Sequence, residues 1–130
     1  MELSDNTLSG AIPSLLFPSD SNSGLPALEE LNLEKNDFNE TLPDAIGNMT
    51  FLHTLRLSNN NLNGAIPSSL GKMGQFTNMA KNVRLEGNRF SGYIPTELSQ
   101  IYPLGKHLSI TCEYFIKHFL LFCEVANVER

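Results

Sequence analysis

The spacing of apolar residues between Leu52 and Pro67 constrains the fold of this chain more than any other feature. The pattern suits neither a long amphipathic helix nor a strand with strict alternation. It indicates a short strand and a turn that leads the chain away from it, and it recurs along the sequence. The chain is therefore predicted to consist of copies of one unit, whose leucines in this stretch are Leu52, Leu55, Leu57 and Leu62.

An asparagine marks the same point of the unit in four places. Successive spacings between these asparagines are 30, 24 and 28 residues. The unit is thus 24 residues long, with insertions of 6 residues around 17–24 and of 4 residues between Met73 and Val83. Because such units become stable when about three or more are stacked, four copies suffice for a folded array. The marking residues, predicted to form a structural ladder, are Asn6, Asn36, Asn60 and Asn88.

Each part of the unit has a predicted structural task. In Leu55-Arg56-Leu57 the alternation is that of a short strand, with the leucines inward and the arginine outward. The asparagine turns the chain, and its amide satisfies backbone groups of its own turn and of the next one. Ile-Pro pairs such as Ile66-Pro67 then begin a short helical turn. Gly47 and Gly71 are placed to end two of these turns.

These residues resemble the plant-type leucine-rich repeat. Its pattern L-x-x-L-x-L-x-x-N-x-L-x-G-x-I-P-x-x-L-G is matched from Leu52 to Gly71, and the resemblance extends over residues 1–104. It implies an α/β repeat fold, a right-handed solenoid with a concave parallel β-sheet and short 3-10 turns on the convex side. Ectodomains of plant receptor-like kinases and receptor-like proteins, and polygalacturonase-inhibitor-like proteins, have this fold. The resemblance says little about which partner the chain binds, because fold does not fix function.

The two ends of the chain depart from the family pattern. Residues 105–130 are predicted to be irregular, with a fifth strand at 107–111 and an apolar capping helix at 113–125. An interfacial or oligomerising helix is the alternative, since the segment is too short and too charged to span a membrane. The family's usual cysteine-containing cap does not precede the first unit. The chain is therefore interpreted as a piece of a longer protein, or as one that associates through its N-terminal edge.

The net charge of -5, from 9 basic and 14 acidic residues, argues against nucleic acid and anionic membranes as partners. The N-terminus lacks the pattern of a secretory signal, and no apolar run reaches the roughly 20 residues of a membrane span. The compartment stays undetermined, although the resemblance implies an extracellular or cell-surface protein. If the chain is secreted, the sequons Asn39-Glu40-Thr41 and Asn48-Met49-Thr50 are candidate glycosylation sites at Asn39 and Asn48.

Outward strand positions form three polar columns across the predicted sheet. Adjacent strands lie about 4.8 Å apart, so Arg56 and Arg84 are predicted to be neighbours, with Glu34 and Glu86 on the diagonals. The resemblance implies that this concave face binds a protein, peptide or glycan, whereas a solvated face with weak ion pairs is the alternative. The columns are Glu30, Thr54 and Asn82; Glu2, Asn32, Arg56 and Arg84; and Ser4, Glu34, Ser58 and Glu86.

Aromatic residues also share a column. Phe38 and Phe90 stand in register with Leu8 and Leu62. A ligand platform of aromatic rings would need them exposed, whereas the shared register predicts core packing.

Neither a metal site nor a catalytic site is predicted. His107, Cys112, His118 and Cys123 lack the tight ligand pairs of zinc sites. A disulfide between the two cysteines would require a turn between them. The repeats contain no nucleophile, base and orienting group in one pocket, so no enzyme activity and no cofactor are expected. The sequence predicts a binding module, with an inactive fragment of a larger receptor-like protein as the alternative.

Overall fold

Short parallel strands organise the fold in the computed structural model of the chain. The described residues are 1–19, 24–74, 82–101 and 107–109. They contain four 3-10 helices and eight strands, and four of the strands form one parallel sheet in the order β2-β4-β6-β8. The strands are β1 (Ser9–Gly10), β2 (Glu30–Asn32), β3 (Asp37–Phe38), β4 (Thr54–Arg56), β5 (Asn63–Gly64), β6 (Asn82–Arg84), β7 (Arg89–Phe90) and β8 (His107–Ser109).

The register of the four-stranded sheet confirms the first two predicted columns, and the third, just after the strands, stays a prediction. Leu31 pairs with Leu55, which pairs with Val83 on the core side. The outward residues pair in the same register, and Glu2 extends the central column through a bridge to Asn32. The predicted fifth strand is confirmed over β8, which pairs with β6. Residues 110 and 111, the remainder of that prediction, lie outside the described residues.

Two further sheets of two strands each lie where the sequence analysis placed none. β1 pairs with β3, and β5 pairs with β7, all in parallel. These strands are only two residues long and are composed of Ser, Gly, Asp, Asn, Arg and Phe. Most of these residue types are poor strand formers, so the pairing comes from the stacking of neighbouring repeats rather than from local propensity.

One hydrophobic core runs through all four repeats, from Ile12 to Leu98. Phe38 and Phe90 are buried in it, which confirms core packing for these rings. Leu8, in the same column, is 40% exposed because it lies at the N-terminal end of the stack. Association through this end stays a prediction.

The four 3-10 helices give Gly47 and Gly71 a different task from the predicted one. Neither glycine ends its helix, and neither has a positive φ. A Cβ at Gly47 would lie 2.6 Å from the Ser69 carbonyl oxygen, and one at Gly71 would lie 2.5 Å from that of Glu97. The glycines are needed because successive helices approach closely. The helices are η1 (Ser14–Leu16), η2 (Asp44–Asn48), η3 (Ser68–Lys72) and η4 (Thr96–Ile101).

The predicted capping helix at 113–125 falls outside the described residues, as do Cys112, His118 and Cys123. Within the described part of the chain the longest helix, η4, has 6 residues. No helix in that part has the length and hydropathy required to cross a bilayer.

Candidate functional site

An asparagine in the turn after each strand joins neighbouring repeats. The Nδ2 of Asn60 donates to the carbonyl oxygens of Leu33 at 2.9 Å and Leu57 at 3.1 Å. Its Oδ1 accepts a hydrogen bond from the Phe38 N–H at 3.2 Å. One buried amide therefore satisfies backbone groups of two consecutive repeats, which the strands themselves leave unpaired.

Asn36 and Asn88 repeat this arrangement, whereas Asn6 does not. Asn36 donates to the Leu3 carbonyl oxygen at 2.9 Å, and Asn88 donates to that of Leu57 at 2.8 Å. Asn6 is exposed and donates to the Leu3 and Ser4 carbonyl oxygens of its own turn. The asparagines thus hold the ends of the four-stranded sheet in register, which makes them structural supports of the face that the sheet presents.

The residue before each asparagine adopts a left-handed backbone conformation. Sequence reasoning missed this position, although Asp, Asn and Gly recur there and favour positive φ. Lys35 is the exception, with φ of 53°. The Lys35 Nζ lies 3.0 Å from Asp5 Oδ1, and this exposed ion pair contributes little to stability. The set comprises Asp5, Lys35, Asn59 and Gly87.

The predicted binding residues lie together on the outer side of the four-stranded sheet, here called the sheet face. Two of them are less accessible than their outward register predicts: Thr54 is 9% exposed and Ser58 is 2% exposed. Their side chains are short, and larger neighbours on strands about 4.8 Å away cover them. The sheet face comprises Glu30, Asn32, Glu34, Thr54, Arg56, Ser58, Asn82, Arg84 and Glu86.

Two hydrogen bonds fix the buried part of the sheet face. The Ser58 hydroxyl donates to the Glu34 carboxylate. His53, just before β4, is buried and its Nδ1 lies 3.1 Å from the Thr54 hydroxyl. The His53 Nε2 lies 3.9 Å from Glu29 Oε2. Sequence reasoning did not assign His53 to this surface, because its position before the strand predicted neither burial nor a carboxylate neighbour.

The arginines of the sheet face are incompletely paired. Arg84 Nη1 lies 4.0 Å from Glu34 Oε1, the outer limit of an ion pair. Arg56 Nε, Asn82 Oδ1 and Glu86 Oε2 are buried and make no hydrogen bond to any described residue. Buried polar atoms normally have partners, so this cluster marks an unusual surface.

Glu2 lies at the other end of the central column. Its carboxylate accepts hydrogen bonds from the Ser4 N–H at 3.0 Å and from Asn32 Nδ2 at 2.9 Å. The hydrogen bonds with Ser4 lower the pKa of Glu2, and Asn32 and the charge of Arg56 lower it further. Glu2 therefore presents a fixed negative charge at neutral pH.

The two sequons differ in their surroundings. Asn39 is exposed. Asn48, at the end of η2, donates from Nδ2 to the Pro18 carbonyl oxygen at 2.6 Å. Both asparagines are exposed, and Asn48 is also bonded to the inserted segment. Glycosylation at either residue stays a prediction.

Other surfaces of the described residues offer little chemistry. An open apolar depression of about 300 Å³ is lined by Leu25, Pro26, Ala27 and Leu28, none of which titrates. Among the described residues, no three His, Cys, Asp or Glu side chains come close enough together to hold a metal ion.

A family model described as Leucine Rich Repeat matches residues 27–49 and 51–73, which are the second and third units. The chain is a leucine-rich-repeat protein. Its repeats carry the strand, the asparagine turn and the 3-10 helix of the geometry above. Comparison with curated proteins returns no match.

The structural neighbours of this leucine-rich-repeat protein are ectodomains of plant receptor kinases and their complexes. One is the leucine-rich-repeat ectodomain of the Arabidopsis thaliana membrane receptor kinase GASSHO1/SCHENGEN3 in complex with CASPARIAN STRIP INTEGRITY FACTOR 2. It shares 35% identity over 84% of this chain and 12% of its own, with a TM-score of 0.70. The Arabidopsis BIR3–SERK2 complex shares 34% identity over 84% of this chain and 58% of its own, with a TM-score of 0.62.

A third neighbour is the Arabidopsis receptor kinase HAESA in complex with the peptide hormone IDA and the co-receptor SERK1. It shares 28% identity over 88% of this chain and 21% of its own, with a TM-score of 0.59. The present chain thus spans between 12% and 58% of the length of these three proteins.

Proposed function

We propose that this chain is a non-catalytic binding module that recognises a peptide or protein ligand through the sheet face. Among its structural neighbours, GASSHO1/SCHENGEN3 is in complex with CASPARIAN STRIP INTEGRITY FACTOR 2, and HAESA is in complex with a peptide hormone. These likenesses support a peptide or protein as the class of ligand. An enzyme is disfavoured because the two hydroxyls of the sheet face that lie beside a base, those of Thr54 and Ser58, belong to buried residues that a substrate cannot reach.

The polar side chains of the sheet face carry this proposal. Glu30 and Arg84 are exposed, and Arg56, Asn82 and Glu86 are half-buried, so donors and acceptors lie side by side on one accessible surface. A peptide backbone brings both carbonyl acceptors and N–H donors, so it can complement this set where a purely apolar ligand cannot.

The proposed binding surface implies a particular arrangement of the repeats. Residues 1–104 would form a right-handed solenoid with the sheet face on its concave side and η1–η4 on its convex side. Residues 105–130 would cover the C-terminal end of the core. In this arrangement a ligand contacts several repeats at once, which is how solenoids obtain extended binding surfaces.

Charge reversal on the sheet face tests the proposed function. Peptides are first selected on the intact chain from a phage-displayed random 12-residue library, then synthesised for fluorescence polarisation. The variant Arg56→Glu/Arg84→Glu is expected to bind them at least about tenfold more weakly, because repulsion replaces two charged contacts. A circular-dichroism melt establishes that this variant is folded, which is needed because Arg56 is half-buried.

Lys72→Glu is the matched control, because Lys72 is an exposed cation in η3, away from the sheet face. It is expected to leave peptide affinity unchanged. Equal loss of affinity in Lys72→Glu, or unchanged affinity in Arg56→Glu/Arg84→Glu, would refute the sheet face as the binding site.

A further inference from the structure

Charge is ordered along the central column of the sheet face, which the bridge from Asn32 extends to Glu2. The column runs from Glu2 through Asn32 to Arg56 and Arg84, one residue from each consecutive repeat. Within these four repeats it begins with an acid, continues with a neutral amide and reaches two bases, after which the ladder passes from Arg84 to Ser109 of β8.

The columns on either side strengthen the acidic end. Glu30 on β2 and Glu34 just after β2 lie on either side of Asn32. The outward positions of this repeat and of the first one carry no basic side chain. At the other end, Glu86 is the one carboxylate beside Arg56 and Arg84 on their own two repeats. The two halves of the face thus differ in the sign of their local charge.

The two ends are only weakly paired within the chain. Arg84 comes no closer than 4.0 Å to Glu34, whose carboxylate already accepts a hydrogen bond from Ser58. The Arg84 side chain is 45% exposed. Glu2 is also exposed, and its hydrogen bonds to Ser4 and Asn32 fix its direction. Both charges are therefore available to a ligand.

We propose that the sheet face takes an extended peptide segment laid across the strands, with a basic side chain over Glu2 and an acidic side chain over Arg56 and Arg84. This inference rests on the proposed function and adds the charge order of the ligand. Opposite charges placed in this order attract at both ends of the column, whereas the reverse order places like charges together.

The strand spacing sets the separation of the two ligand charges. Glu2 and Arg84 are three strand steps apart, about 14 Å at roughly 4.8 Å per step. An extended peptide advances about 3.3 Å per residue, and alternate side chains point to the same side. Residues i and i+4 therefore face the sheet together at about 13 Å, which matches the column. The ligand signature is a Lys or Arg four residues from an Asp or Glu.

The test compares the intact wild type with a charge-swapped variant, Glu2→Arg/Arg84→Glu, which has the same net charge. Each is used to select from the phage-displayed random 12-residue library. Pools selected on the wild type are expected to be enriched in basic and acidic residues four apart, in one direction along the peptide. Pools selected on the swapped variant are expected to show the opposite direction.

Synthetic peptides then give the affinities. A selected peptide, blocked at both termini, is compared with one in which only its basic and acidic residues are exchanged. The exchange is expected to weaken binding to the wild type at least about tenfold and to strengthen binding to the swapped variant. A melt of the swapped variant establishes that it is folded.

The outcomes separate this inference from the function on which it rests. Peptides that bind in both charge orders equally, yet lose affinity for Arg56→Glu/Arg84→Glu, would overturn the charge order and leave the sheet face as the binding site. Peptides that bind every variant equally, or no enrichment on the wild type, would overturn both.

Discussion

At the scale of single residues, equivalent asparagines make different hydrogen bonds in different repeats. Asn60 is buried and bonds to Leu33, Leu57 and Phe38, which lie in two repeats. Asn6 has the same place in its own repeat, but it is exposed and its side-chain amide donates to carbonyl oxygens of its own turn. The difference arises because Asn60 has a preceding repeat against which to bond, whereas in the described chain Asn6 lies at the end of the stack.

Replacing Asn60 with alanine should therefore be costly. Asn60→Ala leaves the buried Phe38 N–H without its partner, whereas the Leu33 and Leu57 carbonyl oxygens keep the amides of Asn36 and Asn88. We therefore expect a loss of about 1–3 kcal/mol in the free energy of unfolding. Urea denaturation followed by circular dichroism measures this loss. Asn61→Ala, at the next and half-exposed position, is the control and should change stability by less than about 0.5 kcal/mol. Equal effects of the two substitutions would contradict a structural role for the Asn60 amide.

At the scale of elements, the 3-10 helices are limited by how closely they stack. η2 contacts η3, and η3 contacts η4. Gly47 in η2 and Gly71 in η3 each face a carbonyl oxygen of the next helix, at a distance that leaves no space for a Cβ. The backbone of one helix thus packs directly against the backbone of the next one, and this contact sets the spacing of the repeats on that side.

Adding one methyl group at this contact should separate two helices. A Cβ at Gly71 would lie 2.5 Å from a backbone oxygen, which cannot rotate away as a side chain could. We expect Gly71→Ala to lower the free energy of unfolding by about 1–3 kcal/mol, measured by urea denaturation. Ser69→Ala in the same helix is the control, because the buried Ser69 Oγ has no hydrogen-bond partner among the described residues. Its removal should be nearly neutral, and a neutral Gly71→Ala would show that the helices can shift apart freely.

At the scale of the whole molecule, one core links the repeats into a single unit. The buried side chains form one cluster that includes residues of all four repeats. Leu55 is fully buried at its centre, whereas Leu15 in the first repeat is 87% exposed. Stability in repeat arrays is a sum of unit and interface terms, so a central loss weakens both neighbours.

Truncation of the central leucine should therefore destabilise the neighbouring repeats as well as its own. Leu55→Ala is expected to cost about 2–5 kcal/mol, through lost burial and the cavity left behind. Hydrogen exchange should speed up for the Leu33 N–H in the second repeat and for the Arg89 N–H in the fourth, which bond to neighbouring repeats. Leu15→Ala should change neither amide. Faster exchange confined to the third repeat would indicate that the repeats unfold independently.

Much of the architecture was predictable because the repeat pattern is strong. Leucine spacing gave the strand positions, and alignment of Asn36, Asn60 and Asn88 gave the register of neighbouring strands. The candidate site was predictable only as a set of columns. The burial of Thr54 and Ser58 and the unpaired atom of Arg56 depend on how neighbouring side chains lie across the sheet, which no periodic pattern encodes.

The sequence by itself determined the repeat, and the strands and pairing of the four-stranded sheet. Leucines at a fixed spacing can be buried together in few ways, and asparagines at a fixed spacing place the turns that follow the strands. Only the tertiary structure decided the roles of Gly47 and Gly71, the two-residue sheets and the accessibility of the sheet face. Each of these depends on contacts between residues about one repeat apart. Local preferences act within a turn, whereas distances between repeats arise only when the whole stack is packed.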